Sequence, residues 1–173
     1  IEDALKRMTK VQARLNTLKG DIKPAIQKFS ACRLLQNCCD KTGKKLSHLK
    51  TRIDCPQDFT IHTDPDFMAM IVENLFINAM EANSGGDTTV FIKIEKTDNH
   101  QAKIEFTDNG PGISPELLPE HLFDPFITSK VKGSGIGLWQ VRQLVECLGG
   151  NISAKNAEKG GAHFLLFIPV TPF

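Results

Sequence analysis

Apolar side chains recur every three or four residues in four stretches of the chain, a spacing that predicts amphipathic helices. The stretches are Glu2 to Lys19, Ala31 to Gly43, Asp64 to Asn83 and Leu138 to Leu148. Gly20 and Pro24 stop the first helix. Its apolar stripe could pack on its own domain, but a long leading helix with no partner helix in the chain is more typical of a truncated helical hairpin or coiled-coil dimer.

Apolar and polar residues alternate in shorter stretches, which predict β-strands. Thr88 to Glu95 and Gln101 to Thr107 alternate cleanly across a short turn, so they predict an antiparallel hairpin. Leu49 to Ile53 and Phe59 to His62 predict a second, hairpin-like pair around a proline. The remaining strands are expected at Ile26 to Phe29, Asn151 to Lys155 and Ala162 to Val170. Six or seven strands and three helices besides the leading one favour an α+β two-layer sandwich with the helices on one face.

Composition narrows the class of protein without naming a function. At 173 residues and 40% hydrophobic content the chain can form one domain with a core. The formal net charge of +1 gives no electrostatic case for nucleic acid or an acidic membrane as a partner. We find no apolar run long enough for a membrane helix and no signal peptide. Because the chain begins at Ile1 without a methionine, we expect a fragment of something longer.

The cysteines suggest neither a disulfide framework nor a zinc site, because their number is odd and no CxxC pair occurs. They are Cys32, Cys38, Cys39, Cys55 and Cys147. Cys32 and Cys39 lie seven residues apart in a predicted helix, where small buried apolar residues are expected. A reducing cytoplasm fits this pattern best.

A glycine cluster, Gly133 to Gly137, runs directly into the last predicted helix. Such a loop offers free N–H groups and the positive end of the helix dipole to an anion, and phosphate is the obvious candidate. The spacing is neither a dinucleotide fingerprint nor a P-loop. Taken alone, the cluster could equally be a turn.

The helix that begins at Asp64 carries a polar stripe beside its apolar one. Asp64 is expected to cap the helix and Pro65 to occupy its first position. Asn74, Asn78 and Glu81 form the polar stripe. Asparagine is a poor residue inside helices, so two of them need a reason. They either cap neighbouring loops or, as we favour, supply amide oxygen for Mg²⁺ shared with a phosphate.

Asp108 follows the second strand of the predicted hairpin and precedes another glycine turn. A carboxylate there can accept a hydrogen bond from an exocyclic amine, which would distinguish adenine from guanine. The alternative is an aspartate that caps its own turn. Asp108 alone does not decide between them.

Four segments together resemble the ATP-binding catalytic domain of sensor histidine kinases, within the superfamily that also holds gyrase, Hsp90 and MutL ATPases. Glu73 to Ala82 resembles the asparagine box, Asp108 to Gly112 the first glycine box, Phe123 to Lys130 the phenylalanine box and Gly133 to Leu138 the second glycine box. All four occur in the family's order, between roughly residues 29 and 170. The resemblance implies a Bergerat-type fold with a mixed, mostly antiparallel sheet covered on one face by three helices.

The resemblance also implies site residues. Those expected to bind nucleotide are Asn74, Asn78, Asp108, Gly110, Gly112, Lys130, Gly133, Ser134, Gly135, Ile136, Gly137 and Leu138. Asn78 would hold Mg²⁺, Asp108 would bind the adenine amine and Lys130 would neutralise phosphate charge. Residues 124–134 would form a mobile ATP lid. Ala162 stands where the family usually has a threonine, so a hydroxyl contact to adenine is not expected there.

The implied function is that of a two-component kinase domain. It would bind Mg-ATP and pass the γ-phosphate to a histidine on an upstream dimerisation domain, from which a response-regulator aspartate receives it. Hydrolysing members of the superfamily have a glutamate where this chain has Asn74, so weak ATP hydrolysis is expected. None of the five histidines lies in an acceptor motif, so the acceptor should lie upstream.

The expected organisation follows from this resemblance. Residues 1–20 would be the second helix of the dimerisation hairpin, residues 21–28 a linker and residues 29–173 the catalytic domain. The full-length protein would be a homodimer, cytoplasmic in this part, and its sensor region can be membrane-anchored. The alternative is a nucleotide-dependent protein-binding module, or an anti-sigma-type serine kinase regulator of the same superfamily.

Overall fold

The structure is a computed structural model that describes residues 23–44, 46, 48–83, 86–119, 121–127 and 134–171. The predicted leading helix, Glu2 to Lys19, lies outside these residues. So do Lys130 and Gly133 and most of the expected lid, residues 128–133. Within the described part of the chain, none of the helices has both the length and the apolar content needed to cross a lipid bilayer.

Five strands form the main sheet in the order β2-β4-β5-β7-β6, and two more form a small separate sheet. The main strands are β2 (Leu49–Asp54), β4 (Thr88–Lys96), β5 (Gln101–Asp108), β6 (Asn151–Asn156) and β7 (Ala162–Pro169), and the small sheet holds β1 (Gln27–Ser30) and β3 (Thr60–Thr63). Strands β2 and β4 are parallel, and every other pair is antiparallel. The predicted hairpin of β4 and β5 is confirmed.

Three helices are described, and each begins within one residue of the predicted start. They are α1 (Ala31–Gly43), α2 (Pro65–Ala82) and α3 (Gly137–Cys147), with a short 3₁₀ helix at Pro115–Leu117. Ser30 caps α1, because its Oγ accepts a hydrogen bond from Arg33 N. Asp64 caps α2 through bonds from Asp66 N and Phe67 N, while its Oδ2 accepts from Ala25 N at 2.7 Å.

The core lies between the helices and one face of the main sheet. Alternate residues of β4, β5 and β7 are buried, and the apolar stripe predicted for α2 is buried against them. Phe76 of α2 meets Phe106 of β5 edge to face, with ring centroids 6.5 Å apart. Burying these apolar faces is the main source of stability of such a two-layer fold. The predicted α+β fold, with a mixed, mostly antiparallel sheet and three helices, is confirmed.

The opposite face of the sheet is polar. Lys103 Nζ contacts Glu105 at 2.7 Å and Glu95 at 3.2 Å, and the hydrogen bond that Lys103 donates to Glu105 is the main reason that the pKa of Lys103 is raised. Beside them His163 lies 2.8 Å from Thr107 Oγ1, and partial burial lowers the pKa of its imidazole. The alternation predicted from sequence therefore separates a core face from a hydrated face.

The predicted hairpin of Leu49–Ile53 with Phe59–His62 is wrong. Strand β2 pairs in parallel with β4, and β3 pairs with β1. Alternation in a sequence identifies a strand but not its partner. Parallel neighbours require a long crossover, and here the chain passes through β3 and α2 between β2 and β4.

The cysteine pattern suggests no disulfide framework, but the structure contains one disulfide, which joins Cys32 to Cys55 with their Cα atoms 6.0 Å apart. The Asp58 carboxylate brings these segments together, since it accepts hydrogen bonds from Ser30 Oγ and Cys32 N. Cys39 is buried as predicted, and so is Cys38. Burial raises the pKa of Cys38 to about 11 and that of Cys39 to about 12, so both stay protonated thiols at neutral pH.

Candidate functional site

A cavity opens between α2, the loop that follows β5 and the N-terminus of α3. Helix α2 contributes Asn74, Ile77, Asn78, Glu81 and Ala82 to its lining. The segment after β5 contributes Gly112, Ile113, Ser114, Leu117, Leu122 and Ile127, and the start of α3 and the loop before it contribute Ser134, Gly135, Gly137 and Leu138. Asp108 and Ala162, at the ends of two neighbouring sheet strands, close one side.

The structure brings most of the sequence-predicted residues together in this cavity. Eight of them line it: Asn74, Asn78, Asp108, Gly112, Ser134, Gly135, Gly137 and Leu138. Ile136 lies between Gly135 and Gly137, and Gly110 lies two positions from both Asp108 and Gly112, but neither is part of the lining. Lys130 and Gly133 lie outside the described residues.

Asp108 is the last residue of β5 and is only 6% exposed. Its Oδ1 accepts hydrogen bonds from Gly110 N at 2.9 Å and from Ala162 N at 3.1 Å. The carboxylate therefore does cap its own turn, as one of the two sequence interpretations had it, and it also borders the cavity. The two bonds fix the carboxylate through one oxygen, so that Oδ2 is the oxygen placed to accept a bond from a ligand.

Asn74 is buried on α2 with its amide held in one orientation. Its Nδ2 donates to Met70 O at 2.9 Å and to Gln140 Oε1 at 3.4 Å. Its Oδ1 lies 3.5 Å from the position that a Cβ on Gly137 would take. The oxygen thus faces the first residue of α3. Gln140 is 1% exposed, and its Nε2 has no hydrogen-bond partner among the described residues. The bond that its Oε1 accepts from Asn74 is therefore the main contact that offsets the cost of burying this amide.

Asn78 and Glu81 continue the wall of the cavity along α2, one and two turns beyond Asn74. The sequence predicts this polar stripe, and the structure places all three of its residues in the lining of the cavity. Glu73 does not belong to the lining. Asn74, Asn78 and Glu81 each carry a side-chain oxygen atom that can bind a metal ion, and such a set suits a hard cation such as Mg²⁺.

The N-terminus of α3 provides the part of the cavity suited to an anion. The N-cap residue is Ile136, a hydrocarbon side chain that cannot accept hydrogen bonds from the first turn. The N–H groups of this turn and the helix dipole therefore favour a negatively charged ligand. Ser134 Oγ accepts from Ile136 N at 3.4 Å and so orders the loop just before the helix.

Glycine is required at Gly135, where φ is +66°. A Cβ there would lie 2.6 Å from the carbonyl carbon of Phe126 and 2.7 Å from Ile127 N. Phe126 N donates to Gly135 O at 3.0 Å, so the phenylalanine segment and the glycine loop are in direct backbone contact. Phe126 itself is 65% exposed.

The sequence did not reveal the apolar part of the lining or the supporting roles of Ala162 and Gln140. Ile77, Ile113, Leu117 and Leu122 give no signal of their own, because apolar residues in helices and loops are common in any core. Ala162 was identified as a departure from a family pattern, and its backbone N–H turns out to hold Asp108. Gln140 could have been noticed as a polar residue within an apolar-periodic helix.

An α+β domain with a carboxylate at the end of a strand, an oxygen-lined helix and an uncapped helix N-terminus is typical of proteins that bind a phosphorylated nucleotide. Residues 63–172 match the family described as histidine kinase-, DNA gyrase B- and HSP90-like ATPases. The chain belongs to this family, and the relatives that it resembles are sensor histidine kinases.

The sensor histidine kinase ZraS of Salmonella typhimurium is 36% identical over 110 residues, which are 64% of this chain and 23% of ZraS. The signal transduction histidine-protein kinase AfsQ2 of Streptomyces coelicolor is 30% identical over an alignment of 186 residues, which covers 99% of this chain and 34% of AfsQ2. The catalytic domain of histidine kinase ThkA is 26% identical, with a TM-score of 0.73 over 85% of this chain and 97% of that domain. The chain thus spans about a quarter to a third of these curated relatives, and the predicted family is confirmed.

Proposed function

We propose that the cavity binds ATP with Mg²⁺ and that the domain presents the γ-phosphate to a histidine on a helical dimerisation domain that precedes it. The phosphate then passes to an aspartate of a response regulator. The observation that carries the proposal is the convergence of Asp108, the oxygen stripe of α2 and the N-terminus of α3 on one cavity. Since ATP and response regulators are cytoplasmic, we also propose that this domain acts there.

Each part of the cavity then has one task. Asp108 accepts a hydrogen bond from the adenine amine, and the N–H groups at the start of α3 bind the phosphates. Asn78, with Asn74 beside it, would hold Mg²⁺, which would neutralise phosphate charge. The residues act by positioning and electrostatics, because no covalent step on this domain is needed for transfer.

Asn74 also bears on the competing reaction with water. Its amide faces the N-terminus of α3, and an amide cannot take a proton from water. We therefore expect ATP hydrolysis to be slow and transfer of the phosphate to another protein to be favoured.

Residues 1–20 would be the second helix of the hairpin, and residues 21–28 would be a linker to the domain, although β1 already begins at Gln27.

The transfer is tested by adding the parent protein's helical hairpin, with its acceptor histidine, to this chain and ATP labelled at the γ-phosphate. We expect acid-labile label on the hairpin and little release of phosphate by the chain alone. A hairpin with the acceptor histidine replaced by alanine is the control. Nucleotide binding without any transfer would favour a nucleotide-dependent binding module, and no binding at millimolar nucleotide would contradict both functions.

Replacing Asn78 with alanine is expected to remove the magnesium dependence of nucleotide binding. With Mg²⁺ present, the affinity for a non-hydrolysable ATP analogue should fall about tenfold, towards the value measured without the ion. Without Mg²⁺ the two proteins should bind alike. Calorimetric titration measures both conditions.

Asn83→Ala is the control for Asn78→Ala. Asn83 lies at the C-terminal cap of the same helix, where its Nδ2 donates to Asp87 O, and it does not line the cavity. This variant should keep the full magnesium response. If Asn78→Ala keeps it too, then Asn78 does not hold the ion.

A further inference from the structure

One side chain from the edge strand of the sheet reaches across to the loop that forms a wall of the cavity. Asn156 is the last residue of β6, and its amide meets both polar groups of the Ile113 backbone. Oδ1 accepts from Ile113 N at 2.6 Å, and Nδ2 donates to Ile113 O at 2.9 Å. Because the two residues are 43 positions apart, no local turn accounts for the contact. Two hydrogen bonds of this kind hold the backbone of Ile113 on both sides of its Cα atom, at the N–H and at the C=O.

The residue before Ile113 is shaped to admit this amide. Gly112 has a φ of +88°, and a Cβ at Gly112 would lie 2.6 Å from Asn156 Oδ1. The amide therefore fills the space that a side chain at position 112 would take. Gly112, Ile113 and Ser114 all line the cavity, whereas Asn156 itself is exposed and does not.

The same hairpin end also holds the carboxylate on the other side of the cavity. Asn156 faces Ala162 across the β6–β7 pair, and Ala162 N donates to Asp108 Oδ1 at 3.1 Å. The turn between them is closed by a bond from Ala157 N to Gly161 O at 2.9 Å. This end of the β6–β7 hairpin therefore contacts both Asp108 and the Gly112–Ser114 wall, and it sets the spacing between them.

We infer that Asn156 is a positioning residue for the base of the bound nucleotide. It holds the Gly112–Ser114 wall at a fixed distance from the Asp108 carboxylate, and so it sets how tightly adenine fits. This inference rests on the proposed function and extends it to a residue outside the cavity. Asn156 acts through Ile113, because both polar atoms of its amide bond to the backbone of that residue.

The test compares Asn156→Ala with the unmodified chain. Loss of both bonds lets the wall move, and we expect the affinity for a non-hydrolysable ATP analogue to fall about tenfold in calorimetric titration. Hydrogen exchange at the Ile113 amide should become faster in the absence of nucleotide, since its acceptor is gone. Asn151→Ala is the matched control, because Asn151 is an exposed asparagine at the other end of the same strand.

A structural role alone would give a different result. In that case Asn156→Ala would lower the urea midpoint well below that of Asn151→Ala, and binding measured far below that midpoint would be unchanged. Equal nucleotide affinity in Asn156→Ala and the unmodified chain, despite faster exchange at Ile113, would overturn the inference. If the unmodified chain bound no nucleotide, the proposed function itself would fail, so the two failures are distinguishable.

Discussion

Replacing Asp108 with asparagine is expected to weaken the binding of an ATP analogue about 100-fold without unfolding the domain. Asparagine has the same shape, and its Oδ1 can keep the hydrogen bonds from Gly110 N and Ala162 N. The other terminal atom becomes an N–H donor that faces the donating amine of adenine. The two N–H donors would then face each other in a buried site, and neither would have an acceptor. Leaving two buried donors without an acceptor costs more free energy than losing one hydrogen bond.

Calorimetric titration and urea unfolding of Asp108→Asn and Asp108→Ala separate binding from folding. The alanine variant loses the acceptor for both backbone N–H groups, so we expect it to unfold at lower urea as well as to bind poorly. The asparagine variant should unfold like the unmodified chain. If it also binds like the unmodified chain, the carboxylate does not recognise the base, and the cavity must accept its ligand in another orientation.

Local chemistry explains what could be predicted from the sequence. The start of α2 follows from Asp64 and Pro65, since the capping oxygen and the fixed φ of proline act within a few residues. The polar stripe of Asn74 and Asn78 follows from helical periodicity alone. The position of Asp108 at the end of a strand can be predicted because a short, regular hairpin ends there in a glycine turn. Each of these signals is complete within one element.

The features that were missed depend on segments far apart in the chain. The pairing of β2 with β4 requires knowing where α2 crosses the sheet, and the Cys32–Cys55 bond joins residues 23 positions apart. Asn156 resembles any polar residue at the end of a strand until Ile113 is placed beside it. Tertiary packing decides such contacts, and neither periodicity nor capping carries information about it.

The most destabilising small substitution is expected at Gly161. Its φ is +89°, and a Cβ there would overlap Asp108 O and lie 2.7 Å from the carbonyl carbon of Asp108. Two backbones are in direct contact at this point, and neither can move without shifting the strand end that carries the carboxylate. Gly161→Ala is expected to lower the free energy of unfolding by about 4 kcal/mol, the range of substitutions that force a buried segment apart.

Gly160 provides the control that separates overlap from backbone strain. Its φ is +92°, close to that of Gly161, but nothing lies within 4 Å of the position of its Cβ. Gly160→Ala should therefore show the strain of the left-handed region alone, about 1–2 kcal/mol by urea unfolding. The difference between the two variants measures the contact with Asp108. If the free energy of unfolding falls by the same amount in both variants, Gly161 is not in close contact with the Asp108 backbone. The turn then cannot set the geometry of the base site. A larger loss of unfolding free energy in Gly161→Ala, together with weaker nucleotide binding in the absence of urea, would show that this turn both stabilises the fold and positions the Asp108 carboxylate.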